Sequence, residues 1–138
     1  MSTIENKKLI EHIFSELAQG NSRPFVESMA DEFTWSINGG RSWSRRFEGK
    51  QAVIKELFGA LRSMLQPPIV TVGHRFIADG DYVAVEARGK NTTKDGKPYN
   101  NSYCFVFRLA NSKLQEVTEY MDTELVIRAL GDFSIQSG

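Results

Sequence analysis

Four long stretches rich in strand-forming residues, 69–78, 82–91, 99–110 and 113–121, occupy the second half of the chain. The turns between them are short and built from Asp79-Gly80-Asp81, Asp95-Gly96 and Asn111-Ser112. Connections of this kind join antiparallel neighbours, because a parallel crossover needs a dozen or so residues. Each stretch is about ten residues long, above the usual five or six, and strands of that length twist and curl when they pair. The chain is thereby committed to a curved antiparallel sheet with one face that other elements must cover.

The covering elements lie ahead of the strands. Ser2 and Glu5 form an S-x-x-E capping box, and Ile10, Ile13, Phe14 and Leu17 follow at helical spacing until Gly20. Asn21 and Ser22, with Pro24 behind them, start a shorter helix that carries Phe25, Val26 and Met29 and ends near Ala30. Alternation in Phe33-Thr34-Trp35-Ser36-Ile37 predicts a half-buried strand, closed by Asn38-Gly39-Gly40 and followed by a polar loop over 41–48. A third helix is expected over 49–65, where apolar residues recur from Val53 to Leu65 before Pro67-Pro68. A last one spans 124–130 and stops at Gly131. Helices first and strands afterwards make an α+β domain, a cone-shaped curved antiparallel sheet roofed by N-terminal helices, with a pocket expected in its apolar interior. One domain over 1–133 accounts for the length, and the small polar residues 134–138 read as a disordered tail.

Composition narrows the partners. Seventeen basic residues balance seventeen acidic ones, which argues against nucleic acid or an anionic membrane as an obligate partner. A single cysteine, Cys104, excludes a disulfide framework, and two histidines in separate elements make a metal site unexpected. The opening residues lack the basic-then-apolar order of a secretory signal and no apolar run reaches membrane-spanning length, so a cytoplasmic protein is expected.

The order of elements, together with Tyr99-Asn-Asn-Ser-Tyr-Cys-Phe-Val-Phe-Arg, Glu116-Val-Thr-Glu-Tyr-Met-Asp-Thr and Arg128-Ala-Leu-Gly131, resembles the SnoaL-like branch of the NTF2-like superfamily. That superfamily, which shares the cystatin-like cone, also contains the ketosteroid isomerases, limonene epoxide hydrolases, scytalone dehydratases and phenazine-biosynthesis A/B proteins. The resemblance implies a homodimer formed through the sheet, a ligand cavity, and neither metal nor organic cofactor. It also implies roles for particular residues. Where ketosteroid isomerases carry an aspartate base on the first strand, this chain has Ile37, which speaks against steroid-type isomerisation. The phenazine A/B proteins place an acid/base carboxyl at the position of Glu119, a Tyr-x-Asn stretch at Tyr99 and Asn101, and an active-site histidine at the position matched by His74. In SnoaL-type cyclases an Asp/His pair does this work, which makes His74 with Asp122 the rival pairing.

The residues themselves carry part of this reading. Period-two alternation sets Glu119 on one strand face with Val117 and Met121, and a carboxyl on an apolar face has its pKa raised into the range useful for proton transfer. The opposite face would leave it in solvent or paired to an arginine. Tyr99, Asn101 and Tyr103 share a face that can orient a carbonyl or hydroxyl, while Phe105 and Phe107 farther along read as core. His74 alternates with Val72 and Phe76, which fits either a proton shuttle in the cavity or a hydrogen-bonded rim histidine. Asp122 precedes Thr123-Glu124-Leu125 and is explained by helix capping as well as by chemistry. Trp35 and Ile37 fit apolar cavity walls, or core. Glu86 fits an ion pair with an arginine on the outer face of the sheet. Arg41-Ser-Trp-Ser-Arg-Arg reads as a solvated loop, or as a lid attracting an anionic group.

Together these features suggest acid/base chemistry of the isomerase, cyclase or dehydratase type on a hydrophobic, carbonyl-containing small molecule. A non-catalytic ligand-binding or dimerisation module on the same fold is the alternative.

Overall fold

The computed structural model describes residues 2–135. Helix α1, Thr3–Leu17, begins at the expected capping box, in which Ser2 Oγ accepts from Glu5 N and the Glu5 carboxylate accepts from Ser2 N. Its apolar stripe of Ile10, Ile13 and Phe14 is buried. Helix α2, Arg23–Ser28, is two residues shorter than its apolar pattern suggests, because the backbone is already extended at Met29, where β1 (Met29–Asn38) starts. The 41–48 segment is not wholly loop, since Arg46–Glu48 forms β2 with Phe47 buried.

The third helix, α3, occupies 50–64 in three parts. Lys50–Ala52 and Gly59–Met64 are α-helical, and the intervening Val53–Phe58 is a π-helix. This wider winding, common at functional sites, shifts which residues face inward. Four long strands follow: β3 (Thr71–Asp79), β4 (Tyr82–Gly89), β7 (Ser102–Ala110) and β8 (Lys113–Met121). Between β4 and β7 the expected continuous strands break into a separate ribbon of β5 (Asn91–Thr92) and β6 (Pro98–Tyr99). Asn91 makes that departure possible. Its side chain accepts from Val70 N at 2.8 Å and donates to Val70 O at 3.1 Å, imitating a strand partner where backbone pairing has ended. Helix α4, Thr123–Leu130, closes the fold.

The six-stranded sheet has the order β2-β1-β8-β7-β4-β3. All neighbours are antiparallel except β1 and β8, which run parallel with Ile37 beside Glu119. Three irregularities in register, in β1, in β3 and between β7 and β8, add local bending and twist. On the concave face Phe33, Val85, Phe107, Leu109 and Val117 pack beneath the helices as the core. The outer face is polar and paired, with ion pairs between Arg75 and Glu86 at 3.0 Å and between Arg108 and Glu116 at 3.3 Å. Ile77, Tyr82 and Tyr120 remain exposed. No helix among the described residues is long and apolar enough to cross a membrane. Of the segment read as a disordered tail, residues 136–138 lie outside the described residues.

Candidate active site

The concave face and the helices enclose a cavity of about 530 Å³. Its wall is largely aromatic and aliphatic: Trp35 and Ile37 from β1, Phe105 from β7, Phe14 from α1, and Leu57 and Phe58 from the π-helical part of α3. Tyr99, Tyr103, Met121 and Glu119 supply its polar or polarisable surface on the sheet side.

Alternation along the second half of β8 directs Val117, Glu119 and Met121 to the concave face, as the residue pattern implies. Glu119 is only 6% exposed, on an otherwise apolar strand face. Its Oε1 accepts a hydrogen bond from Trp35 Nε1 at 2.8 Å. The indole is fixed for this role by edge contacts to Phe58 and Phe105, with ring centroids 5.7 Å and 6.1 Å away, and by Phe25 at 5.7 Å. No cation pairs with Glu119 among the described residues. Burial therefore dominates its acidity and pushes the pKa up to about 7, against the opposing pull of the Trp35 N–H. At neutral pH such a carboxyl exists in both protonation states, the condition for accepting a proton and handing it back.

Tyr99 and Tyr103 stand beside it. Burial is the main cause that raises both phenol pKa values, so both hydroxyls stay neutral; they hydrogen-bond to each other, and Tyr99 Oη also accepts from Asn101 Nδ2 at 3.0 Å. Tyr103 also stacks on Phe105, with centroids 5.3 Å apart.

Four sequence-derived candidates lie outside the cavity wall. His74 is exposed, because a bulge between Gly73 and Arg75 reverses the strand's inside-outside alternation. Before the bulge Gly73 faces inward, where an added Cβ would lie 2.7 Å from the Phe76 ring and 3.2 Å from Phe14. After it Phe76 does so, edge-on to Phe14 at 6.0 Å. His74 falls between and is turned out. Asp122 is also exposed, and its carboxylate caps α4, accepting from Glu124 N and Leu125 N at 3.1 Å each. Asn101 is fully buried, with its amide committed to the protein. Nδ2 donates to Tyr99 Oη at 3.0 Å and Asp122 O at 3.1 Å, and Oδ1 accepts from Ser102 N at 2.8 Å and Asp122 N at 3.3 Å. It braces the start of β7 against the end of β8 and is not among the residues that line the cavity. Val117 is core, paired with Trp35 on one side and Phe107 on the other.

Conversely, Trp43 is a wall residue that its polar surroundings concealed. It is 1% exposed, donates from Nε1 to Gly131 O at 2.8 Å, and packs against Phe133 at 5.1 Å. Arg45 lies 4.3 Å over the same Phe133 ring. The 41–46 segment is thus pinned to the C-terminal residues, where Ser42 Oγ donates to Asp132 at 2.8 Å and accepts from Phe133 N at 3.0 Å. Among the described residues no group of three His, Cys, Asp or Glu side chains is placed to share a metal ion.

Comparison with known proteins yields one family, the SnoaL-like domain, whose pattern matches residues 10–117. No curated protein matches the chain. Among solved structures, an NTF2-like protein of Burkholderia xenovorans is 22% identical with a TM-score of 0.72, the alignment covering 94% of this chain and 98% of that one. An NTF2-like protein of Burkholderia pseudomallei, 16% identical, gives a TM-score of 0.78 over 94% and 98% of the two chains. A ketosteroid isomerase-like fold from Catenulispora acidiphila, 13% identical, gives 0.72 over 90% and 92%. At these identities the likeness is one of fold.

Proposed function

The chain belongs to the SnoaL-like domain family and has the NTF2-like fold, and from that premise we propose that it is a small-molecule isomerase or cyclase acting by proton transfer. Its substrate is a hydrophobic molecule with a carbonyl group, held in the concave cavity without a cofactor. Glu119 is the acid/base group. It removes a proton from carbon next to the carbonyl and returns it at the new position, while Tyr103 or Tyr99 donates a hydrogen bond to the carbonyl oxygen as negative charge develops there. The observation that supports this most directly is a buried carboxyl on an apolar cavity wall, held by an indole N–H and, among the described residues, free of any ion pair. Trp35, Ile37 and Met121 form the surface against which the substrate body rests.

A direct test needs no knowledge of the natural substrate. Hydrophobic cyclic and aryl ketones in D2O should lose their α-proton NMR signals faster with the protein present. Glu119→Gln should slow that exchange by about two to four orders of magnitude, the usual contribution of a positioned acid/base group. Undiminished exchange in a folded variant would sink the assignment and leave a binding module on the same fold as the better reading.

The proposal extends to a homodimer through the outer face of the sheet, supported by the exposed Ile77, Tyr82 and Tyr120 there. Sedimentation equilibrium reads this out directly, and a monomer at micromolar concentration refutes it.

A further inference from the structure

Among the described residues three charged side chains line the cavity, and they are sorted by sign. Glu119 is buried against the sheet, whereas Arg62 and Lys94 are exposed at the opening beside Ser22, Pro67 and Pro68. The two cations come from different elements, Arg62 from the end of α3 and Lys94 from the turn of the β5-β6 ribbon.

Their proximity to one opening is built into the fold. Lys94 N donates to Met64 O at 2.9 Å, Gln66 N donates to Thr92 O at 2.8 Å, and Gln66 Nε2 donates to Thr93 O at 3.0 Å. The ribbon is therefore stitched to the end of α3 along the cavity rim. Neither cation has a carboxylate partner among the described residues. The neighbouring acid, Asp95, is engaged elsewhere, with the Thr93 hydroxyl and with Lys97 at 3.6 Å. Other arginines near acids in this chain do pair, Arg41 with Glu124 and Arg23 with Glu27 among them.

We infer that Arg62 and Lys94 form an anion-recognition subsite at the cavity mouth, and that the molecules bound here are hydrophobic carboxylic acids. The acid group is held at the rim by the guanidinium fork and the ammonium. The apolar body lies along the aromatic wall, and the far end reaches Glu119. The opposite orientation would bring two carboxyl groups together in a desolvated space and is disfavoured by their repulsion. This inference rests on the cavity reading proposed above and specifies its ligand class.

The experiment compares a matched pair of probes, 5-(naphthalen-2-yl)pentanoate and its primary amide, by isothermal titration at low and high salt. The acid should bind about two- to fivefold tighter than the amide at low salt, the range expected for a partly exposed charge pair, and the gap should narrow as salt rises. Arg62→Gln combined with Lys94→Gln should remove the preference, bringing the affinities of acid and amide together. Both residues are exposed, so the fold should tolerate the change, and circular dichroism verifies that it has. An acid that fails to bind, binds no tighter than the amide, or keeps its advantage in the double variant overturns the inference. Amide binding with no acid preference defeats the subsite alone. A normal acid preference with ketone exchange unaffected in Glu119→Gln defeats the proton-transfer reading alone.

Discussion

Trp35 and Glu119 meet across the parallel β1-β8 pair, the indole N–H donating to the buried carboxyl at 2.8 Å. Two opposing influences act on that carboxyl. Burial favours its neutral form, and the indole favours its charged form, with burial the larger of the two.

Removing the indole donor should release the second influence. In Trp35→Phe the ring packing is largely kept and the hydrogen bond is lost. The Glu119 titration, followed by carbon NMR of labelled glutamate, should then move above about 7, by about one pH unit for a hydrogen bond to a charged group. A midpoint that stays in place or falls would show that the indole does not set this acidity.

The same carboxyl should make folding stability depend on pH. Its folded pKa of about 7 lies above the ordinary value of 4.5, so between these two values the folded chain holds a proton that the unfolded chain has lost. Stability contributed by this group is complete below about 4.5, declines as pH rises, and levels off above about 7. The loss amounts to about 3 kcal/mol at 1.36 kcal/mol per pH unit. Glu119→Gln has no such titration. In urea unfolding series from pH 4.5 to 8, the variant should gain on the wild type as pH rises toward about 7 and little beyond it, and parallel curves would contradict the buried, unpaired state of Glu119.

Asn101 should matter for stability far more than for recognition. Asn101→Ala leaves the Ser102 and Asp122 amides and the Asp122 carbonyl without their buried partners. A cost of about 2–4 kcal/mol follows from several unsatisfied polar groups, visible as a lower urea midpoint. A variant as stable as the wild type would mean that the brace is dispensable.

His74, turned outward by the β3 bulge, should be silent in the cavity. His74→Ala should leave the affinity for the naphthyl amide and the rate of ketone exchange within twofold of the wild type, about the scatter expected of a surface change. A tenfold loss in either measurement would place His74 in the chemistry after all.

These residues also show where sequence reasoning reaches and where it stops. The face of Glu119 is legible because period-two alternation holds without interruption from Val117 to Met121. The face of His74 is not, because Val72, His74 and Phe76 look like one unbroken alternation in the sequence while the chain bulges in the middle of it. A bulge is one extra residue without a compositional mark of its own. The burial of Trp43 is equally hidden, since Ser and Arg flank it and the ring it packs against, Phe133, lies at the other end of the chain. The parallel pairing of β1 with β8 is a long-range contact that no turn announces. The order of helices and strands carried over well because local capping, turns and periodicity encode it.

A domain that leaves about 530 Å³ of its interior open to a ligand couples its melting temperature to whatever fills that space. By mass action, a ligand present at a hundred times its dissociation constant adds about 2.7 kcal/mol to the folded state. The protein is thus its own thermometer for whatever it binds: a library of small acids and ketones can be ranked by heating alone.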